Sequence, residues 1–348
     1  MQARKSVAEA LPYPPLPRAR KNKIRMDLNE SAWGCSPKVL EAIRNVDSRE
    51  VSAYPDYQDF AERIAIHFQI SPENIVITNG ADDGIRAVMQ TYIEDGDQAL
   101  MMEPSFGMIP IQAKVMGAEV HSILYQSNFS FPIDQFLEAI NADVRVIALV
   151  RPDSPTGTVI SQSDVIHILR AAPESIILLD ETYHHFIKET CIDLIKEFHN
   201  LVVLQSFSKA YGLAGLRLGF VASYEKNIQQ LNKVNPPFAA NTVAIKAGLA
   251  AMSDSHHLKR IIEEMEYEKA FLVEELTRMG LDVRNTGANF VLLRVGDQAD
   301  VIHQELVEKN ILVKNLNRLP LLNGHFRVSI STRNENEMFL QALREVLP

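Results

Sequence analysis

From about residue 55 the chain alternates short apolar runs with longer segments whose apolar residues recur every three or four positions. The runs are NIVIT (74–78), QALMM (98–102), AEVHSIL (118–124), VRVIALV (144–150), SIILL (175–179), LVVLQ (201–205) and LGFVA (218–222). They are short, often β-branched and largely continuous in apolar character, which predicts strands buried on both faces. Between them, segments such as DDGIRAVMQTYI and SQSDVIHILRAA carry helical spacing. The rhythm predicts an α/β fold: a large domain with a mainly parallel seven-stranded sheet flanked by helices.

Past residue 240 the pattern changes. An amphipathic stretch over 258–279 precedes NFVLLRV, ADVIHQELVEKN, ILVKNL and HFRVSIS, which reads as a smaller α+β domain. The first thirty residues read as an extended arm, because Pro12, Pro14, Pro15 and Pro17 leave no room for a regular helix. The expected organisation is an arm and part of the small domain over 1–45, the large domain over 46–245, and the small C-terminal domain over 246–348.

Composition narrows the partners. A net charge of −9 argues against nucleic acid or an anionic membrane, so any anion site is made locally. Two cysteines, Cys35 and Cys191, make neither a disulfide framework nor a zinc spacing. The basic, proline-rich start lacks the apolar core of a signal peptide, and a reducing, cytoplasmic setting is expected.

Candidate chemistry falls just after the strands, where open α/β sheets form their sites. NGADDGI follows the first run; Gly80 permits a turn into a helix start whose free amides suit phosphate, while Asp82 or Asp83 could cap it. Asp180 closes an uninterrupted apolar run and therefore needs a cation or strong donors. The adjoining Glu181, His184 and His185 raise a metal alternative, but adjacent histidines diverge in helix or strand and no ligand spacing is present, so no metal is expected. Ser206, Ser208 and Lys209 follow the sixth run, with Arg217 eight residues on. A lysine nucleophile, phosphate donors and a buried carboxylate suit an aldehyde cofactor with a phosphate handle and a pyridinium nitrogen, which is pyridoxal 5′-phosphate.

SFSKAYGLAGLRLGF (206–220), together with LNES, AYPD, NGADDGI, PSFGM, PTG, DETY and ANFVLLR in this order, resembles the fold-type I pyridoxal-phosphate aminotransferases, most closely the histidinol-phosphate aminotransferase group. The resemblance implies that Lys209 carries the cofactor as a Schiff base and shuttles a proton. It implies that Asp180 pairs with the ring nitrogen, that Tyr183 donates to the phenolic oxygen and that Phe106 stacks on the ring. The amides of Ala81 and Asp82, with Ser206, Ser208 and Arg217, would hold the phosphate. Tyr54 would reach the neighbouring subunit's cofactor, which makes a homodimer part of the site. Arg327, Lys314, Tyr13 and Asn29 would face the substrate, an amino donor exchanging with a 2-oxo acid in a ping-pong cycle. Other amino-acid aminotransferases, aromatic ones included, and a threonine-phosphate decarboxylase-like lyase are the alternatives on this scaffold. Three positions depart from the pattern: Ser154 stands before PTG in place of asparagine, Ala32 in place of proline ahead of Trp33, and Lys314 in place of arginine.

Overall fold

The computed structural model describes residues 2–14 and 20–347. Among the described residues twelve strands form two sheets. β1 (Ile24–Met26) belongs to the smaller one. The larger contains β2 (Ile75–Thr78), β3 (Gln98–Glu103), β4 (Glu119–Leu124), β5 (Val144–Val150), β6 (Ile176–Asp180), β7 (Leu201–Ser206) and β8 (Gly219–Ser223), in the order β2-β8-β7-β6-β5-β3-β4. β8 alone runs against its neighbours β2 and β7; the other contacts are parallel. All seven predicted strands are present.

Alternation along these strands builds two cores, one on each face of the sheet. Ile147, Leu149, Ile177, Leu179 and Val203 point to one. Val146, Ala148, Leu178, Val202 and Leu204 point to the other. Both faces are covered, which is why the central strands are apolar at every position. β4 departs from the expectation of two-sided burial. It is the edge strand, and Glu119, His121 and Ser122 are exposed. Polar side chains there discourage pairing with another chain.

The smaller sheet adds β9 (Asp282–Asn285), β10 (Phe290–Arg294), β11 (Ile311–Asn315) and β12 (His325–Ser329), ordered β1-β11-β12-β10-β9. β9 is short, polar and half exposed, so no apolar run announced it. Its core joins Phe290, Val313 and Phe326 to Leu272 of the helix Ser255–Arg278 and Phe339 of the helix Arg333–Val346. The arm differs from a plain extended segment. Lys5–Glu9 makes a helical turn, and Ser6 and Arg4 donate to the Val115 carbonyl at 3.0 and 3.1 Å. β1 pairs in parallel with β11, which draws the N-terminal segment into the small sheet. Pro15 and Pro17 lie outside the described residues.

Candidate active site

A cavity of about 540 Å³ opens at the C-terminal ends of β5, β6 and β7, closed on one side by the small sheet. At one end, β2 passes through Asn79 and Gly80 into the helix Ala81–Tyr92. Gly80 has φ +81°, and a Cβ there would lie 2.7 Å from Arg217 Nη2. The turn therefore requires glycine for its backbone and for the arginine beside it. Neither aspartate caps the helix: Gly80 is the N-cap with no side-chain cap bond, and Asp83 Oδ2 accepts from the Asn79 amide, before the cap, at 3.0 Å. Asp82 instead pairs with Arg217 at 2.8 Å. Ser206 Oγ accepts from the Ser208 amide at 3.1 Å. Two hydroxyls, an arginine and the first-turn amides thus meet at one spot, and all five residues line the cavity.

Lys209 follows in a turn anchored by buried Phe207, Ala210 and Tyr211. Its Nζ enters the cavity, donates to the Leu28 carbonyl at 2.9 Å and stands 5.7 Å from the centre of the Tyr183 ring. Among the described residues no carboxylate is hydrogen-bonded to it.

Asp180 forms the floor. It is 3% exposed and accepts from the Thr182 amide at 2.9 Å, with no cation bonded to it among the described residues. Burial pushes its carboxyl up to about 6; the Thr182 hydrogen bonds oppose this, Asp82 adds to it and Lys209 offsets part. A cationic ring nitrogen would supply the missing partner. Glu181 turns to the opposite face. It lies 3.6 Å from buried Arg151, and accepts from the Cys191 amide at 2.7 Å and from Gln205 at 3.2 Å. His184 Nδ1 is 2.9 Å from the Glu181 carbonyl, and burial drives its pKa down to about 4. Of the four groups weighed as metal ligands, Asp180 thus lines the cavity and Glu181 and His184 belong to a buried network, while His185 packs against His184, ring centres 3.8 Å apart, and does not line the cavity. Among the described residues no group of three or more such side chains is placed to hold a metal.

The Tyr183 hydroxyl accepts from Asn29 Nδ2 at 2.8 Å. Asn29 is fully buried and also engages Ser329 and Asn289, so it positions Tyr183 rather than lining the cavity. Arg327 reaches across from β12. Its Nη1 donates to Ser154 Oγ at 2.7 Å and its Nη2 to the Asp27 carbonyl at 2.6 Å, while buried Nε has no partner. Ser154, where the family pattern has asparagine, is therefore held by an arginine of the small sheet. Lys314 sits opposite Arg327 in the β11–β12 register but does not line the cavity. Burial and Arg327 lower its pKa. Phe106 and Tyr13 line the wall. Trp33 does not; it packs on the small-sheet core. Tyr54 lies away from the cavity of its own chain, 79% exposed and stacked on Phe238 at 4.1 Å.

Sequence reasoning missed the Leu28 carbonyl, which no side-chain pattern reveals, and the Thr182 side chain, which stood unassigned inside DETY. The residues present fit pyridoxal phosphate: a lysine amine, a buried carboxylate lacking a cation and a phosphate cradle share one cavity.

The profile of the family described as "Aminotransferase class I and II" matches residues 21–343. A histidinol-phosphate aminotransferase of Caldanaerobacter subterraneus subsp. tengcongensis is 33% identical over 330 residues, covering 93% of each chain. Histidinol-phosphate aminotransferase 2 of Pasteurella multocida is 33% identical over 94% of this chain and 90% of that one. In fold, the chain is similar to histidinol-phosphate aminotransferase of Sinorhizobium meliloti, solved in complex with pyridoxal-5′-phosphate. That likeness has a TM-score of 0.92 and 24% identity, over 100% of this chain and 98% of that one. L-threonine-O-3-phosphate decarboxylase of Porphyromonas gingivalis is also similar, with a TM-score of 0.81 and 23% identity over 93% and 99%.

Proposed function

The chain belongs to the class I and II aminotransferases, and we propose that it moves an amino group between histidinol phosphate and 2-oxoglutarate with pyridoxal 5′-phosphate as cofactor. The observation that carries this reading is the entry of Lys209 Nζ into the same cavity as buried Asp180 and the free amides of the helix Ala81–Tyr92. Bound there, the cofactor supplies a sink for the electrons released at the substrate α-carbon.

The chain's own groups do the rest. The amides of Ala81 and Asp82, with Ser206, Ser208 and Arg217, hold the phosphate at the helix start. Asp180 keeps a negative charge at the ring-nitrogen end of a dry floor, where it acts with little screening. Tyr183, held by Asn29, presents its hydroxyl to the ring. Phe106 covers the ring face. Lys209 would be the covalent anchor, and its amine, when free, would take the proton from the substrate α-carbon and return it to the carbon two atoms along, across the nitrogen. Arg327 and Tyr13 form the substrate end, with Lys314 beside Arg327 on the neighbouring strand. One substrate leaves before the next binds, so the two half-reactions use the same groups in turn.

The reading includes a homodimer, with exposed Tyr54 reaching the second subunit's site. It also places the enzyme in the cytoplasm, in keeping with Cys35 and Cys191 both being free.

Borohydride reduction of the loaded protein followed by peptide mapping tests the anchor. The expected label lies on Lys209, and label on another lysine overturns the assignment. A screen of amino donors, followed by conversion of bound cofactor to its amine form, tests the substrate. Histidinol phosphate is expected to convert it fastest, and preference for an unphosphorylated amino acid overturns that part.

A further inference from the structure

The segment from Asp27 to Glu30 skirts the cavity. The Asp27 carbonyl accepts from Arg327, the Leu28 carbonyl accepts from Lys209, and Asn29 donates to Tyr183. Glu30 comes next, half-buried, and lines the cavity. Its Oε2 lies 3.3 Å from Arg25 Nε and 3.7 Å from Arg20 Nη2. Arg20 is itself fixed by paired bonds to Asp27 at 2.6 and 2.8 Å. The carboxylate is therefore anchored through one oxygen. Among the described residues its other oxygen, Oε1, has no hydrogen-bond or ion-pair partner.

Three acids line the cavity, and two are accounted for: Asp180 forms the floor, and Asp82 pairs with Arg217 at the phosphate cradle. Glu30 is the one left, three residues along from the carbonyl that holds Arg327. Histidinol phosphate carries an amine, a phosphate and an imidazole. The amine goes to the reacting centre, and the phosphate to Arg327 with Lys314 beside it. The ring N–H still needs an acceptor, because leaving it unpaired in a dry cavity would cost binding. A carboxylate accepts that N–H from the neutral ring and pairs with the protonated one.

We propose that Glu30 determines specificity for the donor's ring: its free Oε1 accepts from the imidazole N–H. The proposal rests on the histidinol-phosphate reading and deepens it. The substrate end then offers an acid to the ring and a cation to the phosphate, a polarity that matches the donor's own.

Two proteins and two donors close a cycle. The proteins are wild type and Glu30→Gln, which keeps the shape and removes the charge. The fold should survive, because Arg20 keeps Asp27 and Arg25 is 48% exposed. The donors are histidinol phosphate and the same amino-alcohol phosphate with a phenyl ring in place of imidazole. Single-turnover conversion of the bound cofactor, followed against donor concentration, gives an apparent Kd and a limiting rate for each pair. Wild type is expected to prefer the imidazole donor. Glu30→Gln should bind histidinol phosphate about tenfold more weakly. It should bind the phenyl donor no more weakly than wild type does. Equal penalties for both donors would give Glu30 a structural role and overturn the proposal. An unchanged Kd for histidinol phosphate overturns it too, as does a fall in limiting rate alone. Wild-type protein that takes no amino group from histidinol phosphate removes the substrate reading itself, and the proposal with it.

Discussion

The two ends of the cavity are built differently. At the cofactor end the groups sit at or just past the C-terminal ends of strands: Asp180 ends β6, Ser206 ends β7, and Ala81 follows β2 by three residues. Those strands are buried on both faces, so the chemistry inherits their rigidity. The substrate end is assembled from segments far apart in the chain. Arg327 bonds Ser154 across 173 positions and the Asp27 carbonyl across 300. Cofactor chemistry is thus written in local motifs, and substrate choice in long-range contacts. Substitutions should therefore be severe and substrate-blind at one end, mild and substrate-selective at the other.

Asp180→Asn is the strongest test. The variant is expected to fold and retain much of its cofactor, because the amide can still accept from Thr182. Turnover should fall about a thousandfold, since the charge at the ring nitrogen is lost in a dry site. The loss should be the same for every amino donor. Near-normal kcat in correctly loaded protein would assign Asp180 another role.

The seam between the ends is Asp153, fully buried beside Ser154. It accepts from the Thr156 amide at 3.1 Å and the Thr156 hydroxyl at 2.8 Å, and also from Ser105, but from no cation. Burial raises its pKa to about 6, against the lowering effect of those hydrogen bonds. Because the folded value lies above the unfolded one, the folded state holds the proton more tightly between pH 4 and 6. Stability from this group is therefore lost as pH rises through that window. In cofactor-free protein, Asp153→Asn should gain on wild type by about 1–3 kcal/mol between pH 4 and 7. Urea unfolding at both pH values measures it. A difference that stays flat with pH would show that Asp153 ionises normally.

Gly80→Ala probes the cradle alone. The added Cβ would meet Arg217 at 2.7 Å on a backbone of φ +81°. Pyridoxal phosphate should bind about tenfold more weakly, with a smaller loss of fold stability, about 1 kcal/mol. Unchanged affinity would mean that Arg217 yields freely and that the cradle is looser than its contacts suggest.

The contrast between the ends also explains what the sequence made legible. Central strands and their following residues were readable because two-sided burial forces apolar runs, and a polar residue after such a run stands out. Lys209, Asp180 and Gly80 were found in this way. β4 was read as a strand but not as an exposed edge, and β9 was not read at all, since an edge strand has little burial to advertise. The engagement of Ser154 by Arg327 was illegible, because it depends on how the small sheet lies over the large one.

Lys314 carries the smallest expected effect and the sharpest test of the substrate end. It stands directly across from Arg327, so two cations share one face of the β11–β12 pair. Like charges placed so are unfavourable unless an anion joins them. Asp27 offsets them only in part, because its carboxylate is clamped by Arg20 at 2.6 and 2.8 Å. A phosphate on the substrate would complete the balance. Lys314→Ala should therefore raise KM for a phosphorylated donor by about three- to tenfold and leave an unphosphorylated amino acid untouched. The same change should slightly stabilise the substrate-free protein, by about 0.2–1 kcal/mol, by removing the repulsion. Lys314→Arg should preserve KM or lower it, since a guanidinium offers paired donors to a phosphate. Steady-state kinetics with one donor of each kind decides it. Equal changes for both donors, or none for either, would detach the phosphate from this end of the cavity and leave Arg327 there to bind a carboxylate.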